Sequence, residues 1–129
     1  MASWDDVRRI ATALPEVDER DSESHPQWRV KDKLFTWERP LRPSDLAALG
    51  DQAPADPPLA VRAPDLGAKA ALLADDADVY FTTPHFDNYP IVLVRLDRID
   101  VVELRELLTE AWLARAPKRL ARVFLESAD

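Results

Sequence analysis

The strongest strand signals in the chain are two apolar stretches, VYFTT (79–83) and IVLVRL (91–96), separated by only seven residues. A connection this short joins antiparallel neighbours, because a parallel pair needs a crossover of a dozen or more residues. A second pair of short strands flanks a turn at Lys31–Lys33, and aromatic and β-branched residues mark it: Trp28, Val30, Phe35 and Trp37. Two such hairpins predict an antiparallel sheet.

Helix signals lie before, between and after the two hairpins. Ser3, Ser44, Asp65 and Asp100 are suitable N-caps for four helices, and Gly50 is placed to end the second one. Pro117 suits the first turn of a fifth helix, whose inward residues would be Leu120, Val123 and Phe124.

Two further strands are predicted, at 59–63 and along the edge at 17–21. Because the hairpins are segregated from most of the helices, we expect an α+β fold, a two-layer sandwich with an antiparallel sheet and helices on one face. One domain spanning residues 1–129 is predicted.

The absence of cysteine in the sequence excludes several kinds of site at once: disulfides, thiolate nucleophiles, iron–sulfur clusters and cysteine-ligated zinc. The N-terminus is polar and acidic, and no apolar run approaches the roughly 18–20 residues that cross a bilayer. We therefore expect a cytoplasmic monomer with no membrane partner, no cofactor and no metal. The net charge of −7 is unusual for a nucleic-acid-binding domain.

Two basic regions nevertheless interrupt the acidic chain. Residues 27–42 hold five bases against two acids, with Arg29, Lys31 and Lys33 around the first hairpin turn. A second group lies near the C-terminus: Lys118, Arg119 and Arg122. These bases could contact phosphates. Alternatively, the turn is a solvated hairpin whose charges discourage edge pairing, and the C-terminal bases complement a helix end. The solvated alternative is favoured for the turn.

His85 and Asp87 lie in the connection between the last two strands, TTPHFDNYP (82–90). A zinc site needs three or four protein ligands, and only His25 could supply another imidazole. A histidine–aspartate pair could also transfer protons. The favoured interpretation is a loop tip whose aspartate caps a turn and whose histidine is solvated or packs on Tyr89.

Phe86 and Tyr89 flank Asn88 in the same loop. Exposed aromatic side chains can stack on nucleobases or on a ligand. The favoured alternative is that both rings fold back over the end of the sheet.

Five stretches together resemble the MmcQ/YjbR family across nearly the whole chain: ALPEV, HPQWRVKDKLFTW, LAVRAPDLGAKAALL, PHFDNYPIVLVRLD and ELRELLTEAWLARAPKRL. The resemblance implies a frataxin-like (CyaY-like) α+β sandwich. It also implies DNA binding by two hairpins that act as wings, here the turn at 31–33 and the loop at 84–90. Asp32 stands where the family usually has glycine.

The resulting expectation is a non-enzymatic binding module, with no catalytic residue assigned and DNA as the proposed partner. The residues expected to contact DNA are Arg29, Lys31, Lys33, His85, Phe86, Asn88, Tyr89, Lys118, Arg119 and Arg122. The alternative is a small-molecule-binding protein or enzyme, with a pocket under the 84–90 loop lined by His85, Tyr89 and Trp37. A third possibility is a protein adaptor that uses the acidic surface.

Overall fold

The computed structural model of the protein describes residues 1–127. Within them the strands are β1 Val17–Ser22, β2 His25–Val30, β3 Lys33–Glu38, β4 Leu59–Arg62, β5 Tyr80–Phe81 and β6 Ile91–Val94. The helices are α1 Trp4–Ala13, α2 Pro43–Leu49, α3 Leu66–Asp75, α4 Val101–Arg115 and α5 Lys118–Ser127. None of the helices in this part of the chain is long and apolar enough to cross a membrane.

The six strands form one sheet in the order β1-β2-β3-β4-β6-β5, and every neighbouring pair is antiparallel. This confirms the predicted α+β architecture, including the edge strand that begins at Val17. The β2–β3 turn contains only Lys31 and Asp32, both with positive φ of 48° and 68°. Positive φ at both central residues is the geometry that matches a two-residue turn to the twist of its strands.

A β-bulge in β3 sends the two aromatic residues of that strand to opposite sides of the sheet. Trp28 pairs with Thr36 and Arg29 with Leu34, so Phe35 is an extra residue in the ladder. Phe35 therefore joins the core under the helices, while Trp37 packs on the other face. A strand without the bulge would place residues 35 and 37 on the same face.

Four of the five described helices cover the first face of the sheet, and α2 is the exception to the predicted one-sided arrangement. Their apolar side chains pack with those of alternate strand residues into one large core, which includes Val7, Ile10, Trp28, Phe35, Val61, Val92, Leu104, Leu108 and Trp112. Both fully buried indoles have a partner for their N–H group, Glu19 for Trp28 and the carbonyl of Pro15 for Trp112.

The second face of the sheet carries a smaller apolar cluster of Ala60, Phe81, Phe86 and Leu93. Leu49 of α2 and Trp37 pack against this cluster. The sheet therefore has two different surfaces, one under four helices and one under α2 and the loop that follows β5.

Three of the predicted helix caps are confirmed. The side chains of Ser3, Asp65 and Asp100 each accept a backbone N–H from the first turn of their helix. The prediction for α2 is wrong, because that helix begins at Pro43 and the carboxylate of Asp45 accepts the backbone N–H of Arg42.

Two further predictions need correction. The strand predicted at 79–83 is only Tyr80–Phe81, since the chain leaves the sheet at Thr82 and crosses its second face. In α5, Leu120 and Phe124 pack on the core as expected, but Val123 is 57% exposed.

Candidate functional site

The connection between β5 and β6 folds back over the second face of the sheet instead of projecting from it. Its Pro84–Phe86 segment forms a 3-10 turn that places the Phe86 ring in the second apolar cluster. Phe86 is 7% exposed, which confirms the predicted fold-back of this ring. Tyr89 is 61% exposed, so the same prediction is wrong for Tyr89.

A buried lysine holds this connection in place. The ammonium group of Lys69 in α3 donates to the carbonyl oxygens of Phe86 at 2.7 Å and Tyr89 at 2.9 Å. Burial lowers the pKa of Lys69, and the negative charge of Asp87 partly opposes that shift. The two carbonyls replace hydrogen bonds that the ammonium group loses when it leaves water.

A buried ion pair lies under the turn. Nη2 of Arg39 is 3.2 Å from Oδ2 of Asp45, and both residues are almost fully buried. The Arg39 guanidinium also lies over the Phe86 ring, 5.4 Å from its centroid. Arg39 therefore connects the end of β3 to the start of α2 and to the loop.

The ionised state of Asp45 is favoured in spite of its burial. Burial on its own would raise the pKa of this carboxyl group. The hydrogen bond from the Arg42 N–H and the positive charge of Arg39 outweigh burial, so the pKa of Asp45 is lowered.

A pocket of about 280 Å³ opens between the Pro84–Phe86 turn, the first residues of β2 and the last residues of β3. Its lining brings together the two histidines of the chain, which are far apart in sequence: His25 from β2 and His85 from the turn. Nδ1 of His25 is 3.4 Å from Oε2 of Glu38. The His85 ring packs edge-on against Phe86, with centroids 4.7 Å apart. The remaining lining residues are Pro26, Gln27, Leu34, Trp37 and Arg39.

The structure does not bring the two predicted wings together. Lys31–Lys33 lies where β2 ends and β3 begins, whereas His85 lies where β2 begins and β3 ends. Six strand residues separate these places, a distance of about 17 Å along the sheet. The C-terminal bases lie on α5, which packs on the helical face.

Several of the predicted DNA-contacting side chains already have partners. Arg29 donates to Gln27 and to the carbonyl of Asp32, and the ammonium group of Lys31 is 3.5 Å from Glu16. Phe86 is buried. The others are exposed: Lys33, His85, Asn88, Tyr89, Lys118, Arg119 and Arg122.

His85 and Asp87 do not form the ion pair that acid–base chemistry between them would use; none is present within residues 1–127 at up to 4 Å. Over the same residues, no three histidine, aspartate or glutamate side chains are grouped so that they could hold a metal ion. The contact that does form is between the rings of His85 and Phe86.

The sequence predicts two residues of the pocket lining but not the buried charged groups around it. Trp37 and His85 were expected in its lining and are there, whereas Tyr89 is not. Asp45, Lys69 and Arg39 carry no distinctive motif, because a charged residue in a short surface helix or after a strand ordinarily faces water. Prolines at both ends of the loop were the available signal that this segment is rigid.

The sequence matches a known protein family and several relatives. The model of the YjbR family matches residues 12–114. The chain belongs to the YjbR family. It is 53% identical to "Uncharacterized protein Rv2570" of Mycobacterium tuberculosis (strain H37Rv) over 131 aligned residues, which cover 99% of each chain.

"Uncharacterized protein Mb2600" of Mycobacterium bovis has the same identity and coverage. No solved structure matches the chain significantly. The frataxin-like arrangement implied by the family resemblance therefore stays a prediction.

Replacing Lys69 by methionine should release the loop of this YjbR-family protein. The carbonyls of Phe86 and Tyr89 would lose their charged donor, and a lost buried hydrogen bond costs about 1–3 kcal/mol. We expect faster amide hydrogen exchange at residues 86–89, with the strands little changed. Lys118→Met, at an exposed lysine, is the matched control. Unchanged exchange in the loop would contradict the role given to Lys69.

Replacing Asp45 by asparagine should lower the unfolding free energy by about 3 kcal/mol at neutral pH, because it leaves the buried Arg39 charge without its partner. Denaturant unfolding measures the effect, and Asp51→Asn, at an exposed carboxylate nearby, is the control.

The same pair predicts a pH dependence. Since the pKa of Asp45 is lowered in the folded state, its stabilisation is complete above the ordinary carboxyl value of 3.8 and is lost as the pH falls through the lower folded value. The difference in unfolding free energy between wild type and Asp45→Asn should therefore shrink only below about pH 4. If this free-energy difference already shrank between about pH 5 and about pH 7, the lowered pKa of Asp45 would be contradicted.

Proposed function

We propose that this YjbR-family protein binds a small planar polar molecule in the histidine pocket, which lies between the start of β2, the end of β3 and the Pro84–Phe86 turn. One observation carries the proposal: both histidines of the chain, from distant segments, line the same pocket of about 280 Å³. That volume lies near the lower end of ligand pockets, which favours a ligand the size of a single aromatic ring system.

The lining indicates the chemistry of the ligand. Trp37 and Phe86 supply aromatic surface, which suits a flat molecule. The imidazoles, the Gln27 amide and Glu38 offer both hydrogen-bond donors and acceptors. Arg39 is paired with Asp45, and Glu38 adds a carboxylate to the described lining, so a neutral or singly charged ligand fits better than a polyanion.

Binding without chemistry is the function that this lining favours. No serine, threonine or cysteine lines the pocket within residues 1–127, so the residues that most often act as nucleophiles are missing there. The His25–Glu38 pair could fix the orientation of the imidazole ring without transferring a proton.

Histidine NMR tests the proposal directly, because the only two histidine ring Cε1–H signals both report on the pocket. A panel of adenine, uracil, nicotinate and benzoate should contain at least one compound that shifts both signals with a single dissociation constant. Trp37→Ala should abolish that response because it removes an aromatic wall. Tyr89→Ala, an exposed aromatic in the same loop outside the lining, should preserve it. A panel that moves neither histidine, or only one, would argue against the pocket as a binding site.

DNA binding is the second candidate function, and the exposed Lys31–Lys33 turn favours it. Lys33 has no carboxylate within 4 Å in the described part of the chain, and all three residues of the turn are exposed. Lys118, Arg119 and Arg122 of α5 would add phosphate contacts. In this proposal the buried Phe86 supports the loop and does not stack on a base.

Fluorescence anisotropy with a labelled DNA duplex at about 0.05 M and about 0.2 M salt tests this candidate, since phosphate contacts weaken as salt rises. Lys33→Glu should weaken binding and flatten the salt dependence. Arg42→Glu, at an exposed base near the other end of β3, should leave both unchanged. No detectable binding at the lower salt concentration would exclude DNA as the partner.

A further inference from the structure

A long groove runs between α3 and α4, on the side of the sheet opposite the histidine pocket. Its volume is about 1050 Å³, and its floor is made of small and apolar side chains: Ala63, Ala68, Ala71, Leu72, Val101 and Leu107. At its edge Val102 is 67% exposed. An open apolar groove between two helices is the shape that receives an amphipathic helix.

Carboxylates surround this groove. Five acidic residues line it, and they are Asp75, Asp100, Glu103, Glu106 and Glu110. Asp100 caps α4, and Glu103 accepts a hydrogen bond from the Tyr80 hydroxyl, so these two have structural roles. Throughout residues 1–127, none of the five lies within 4 Å of a lysine, arginine or histidine nitrogen. Arg62 is the only base in the described lining, so the groove is strongly negative.

Helix α5 has the complementary surface. Leu120 and Phe124 attach it to the core, with the Phe124 ring centroid 4.9 Å from that of Trp112. On the outer side, Lys118, Arg122 and Leu125 are spaced at i, i+4 and i+7 and share one face. Leu125 is 53% exposed, and neither base has a carboxylate within 4 Å in the described residues.

We propose that the acidic groove between α3 and α4 receives the outer face of α5 from a second copy of this chain. Lys118 and Arg122 of one copy meet Glu106 and Glu110 of the other, while Leu125 covers the apolar floor. This inference is independent of the histidine pocket, and it differs from the monomer that the sequence alone predicts.

The positions of the groove and α5 allow each copy to place its α5 in the groove of the other. Helix α4 forms one wall of the groove and leads through Ala116 and Pro117 directly into α5. Neighbouring complementary surfaces on one chain suit a two-fold dimer, in which each copy gives its helix and receives its partner's. Two such contacts double the buried surface area and help it reach the roughly 1,200 Å² at which stable interfaces begin.

The edges of the sheet offer a poorer route to self-association. At one edge, β1 has the sequence VDERDS, in which charges discourage pairing with another strand. At the other edge, β5 is only two residues long. A contact between helices is therefore the better route for a second copy.

Reciprocal charge reversal tests the proposal by sedimentation equilibrium of the full chain. Wild type should dimerise, with a dissociation constant that rises at least tenfold between about 0.05 M and about 0.5 M salt, because exposed charge pairs are screened. Glu106→Lys/Glu110→Lys and Lys118→Glu/Arg122→Glu should each be folded by circular dichroism and monomeric at concentrations where wild type is dimeric.

An equimolar mixture of the two variants should form a 1:1 heterodimer, because each basic groove then meets an acidic α5 and each acidic groove a basic α5. Three results would overturn the proposal: a monomeric wild type at about 0.2 mM protein in low salt, a dimer that either variant leaves intact, or two folded variants that do not associate when mixed. Arg42→Glu, at an exposed base next to α2 on the other face of the sheet, is the matched control and should dimerise like wild type.

Discussion

The arrangement of the second face of the sheet depends on one buried ammonium group. Lys69 donates to the carbonyls of Phe86 and Tyr89 and so fixes a loop that would otherwise be free to extend from the β5–β6 hairpin. Burying a lone charge is costly, so an ammonium group is stable here only because backbone carbonyls replace water. The loop in turn places Phe86 over Arg39 and brings His85 into the same pocket as His25.

The two proposed binding surfaces lie on opposite faces of the sheet. The helical face buries the large core and carries the acidic groove between α3 and α4. The opposite face carries the histidine pocket. Trp37 lines this pocket because the bulge at Phe35 places its side chain on that face of the sheet. A ligand in the pocket and a second copy at the groove would therefore not compete for the same residues.

Local rules predicted most of the fold. Strand pairs with short connections can only be antiparallel, and helix caps such as Ser3 and Asp100 are set by neighbours three residues away. The candidate site was harder, because it depends on contacts between distant segments. Nothing local shows that Lys69 points inward or that β3 contains a bulge. The charged residues around Phe86 are distinguished only by their burial, which is a tertiary property.

The most direct test of this account is whether the 82–90 loop lies on the sheet in solution. Proton NMR can measure nuclear Overhauser effects between the Phe86 ring and the side chains of Trp37 and Arg39. Clear cross-peaks to both are expected, since Phe86 packs with Trp37 in the second cluster and its ring centroid lies 5.4 Å from the Arg39 guanidinium. A Phe86 ring with contacts only to its own loop would show a projecting hairpin and would contradict the pocket, the role of Lys69 and the proposed ligand together.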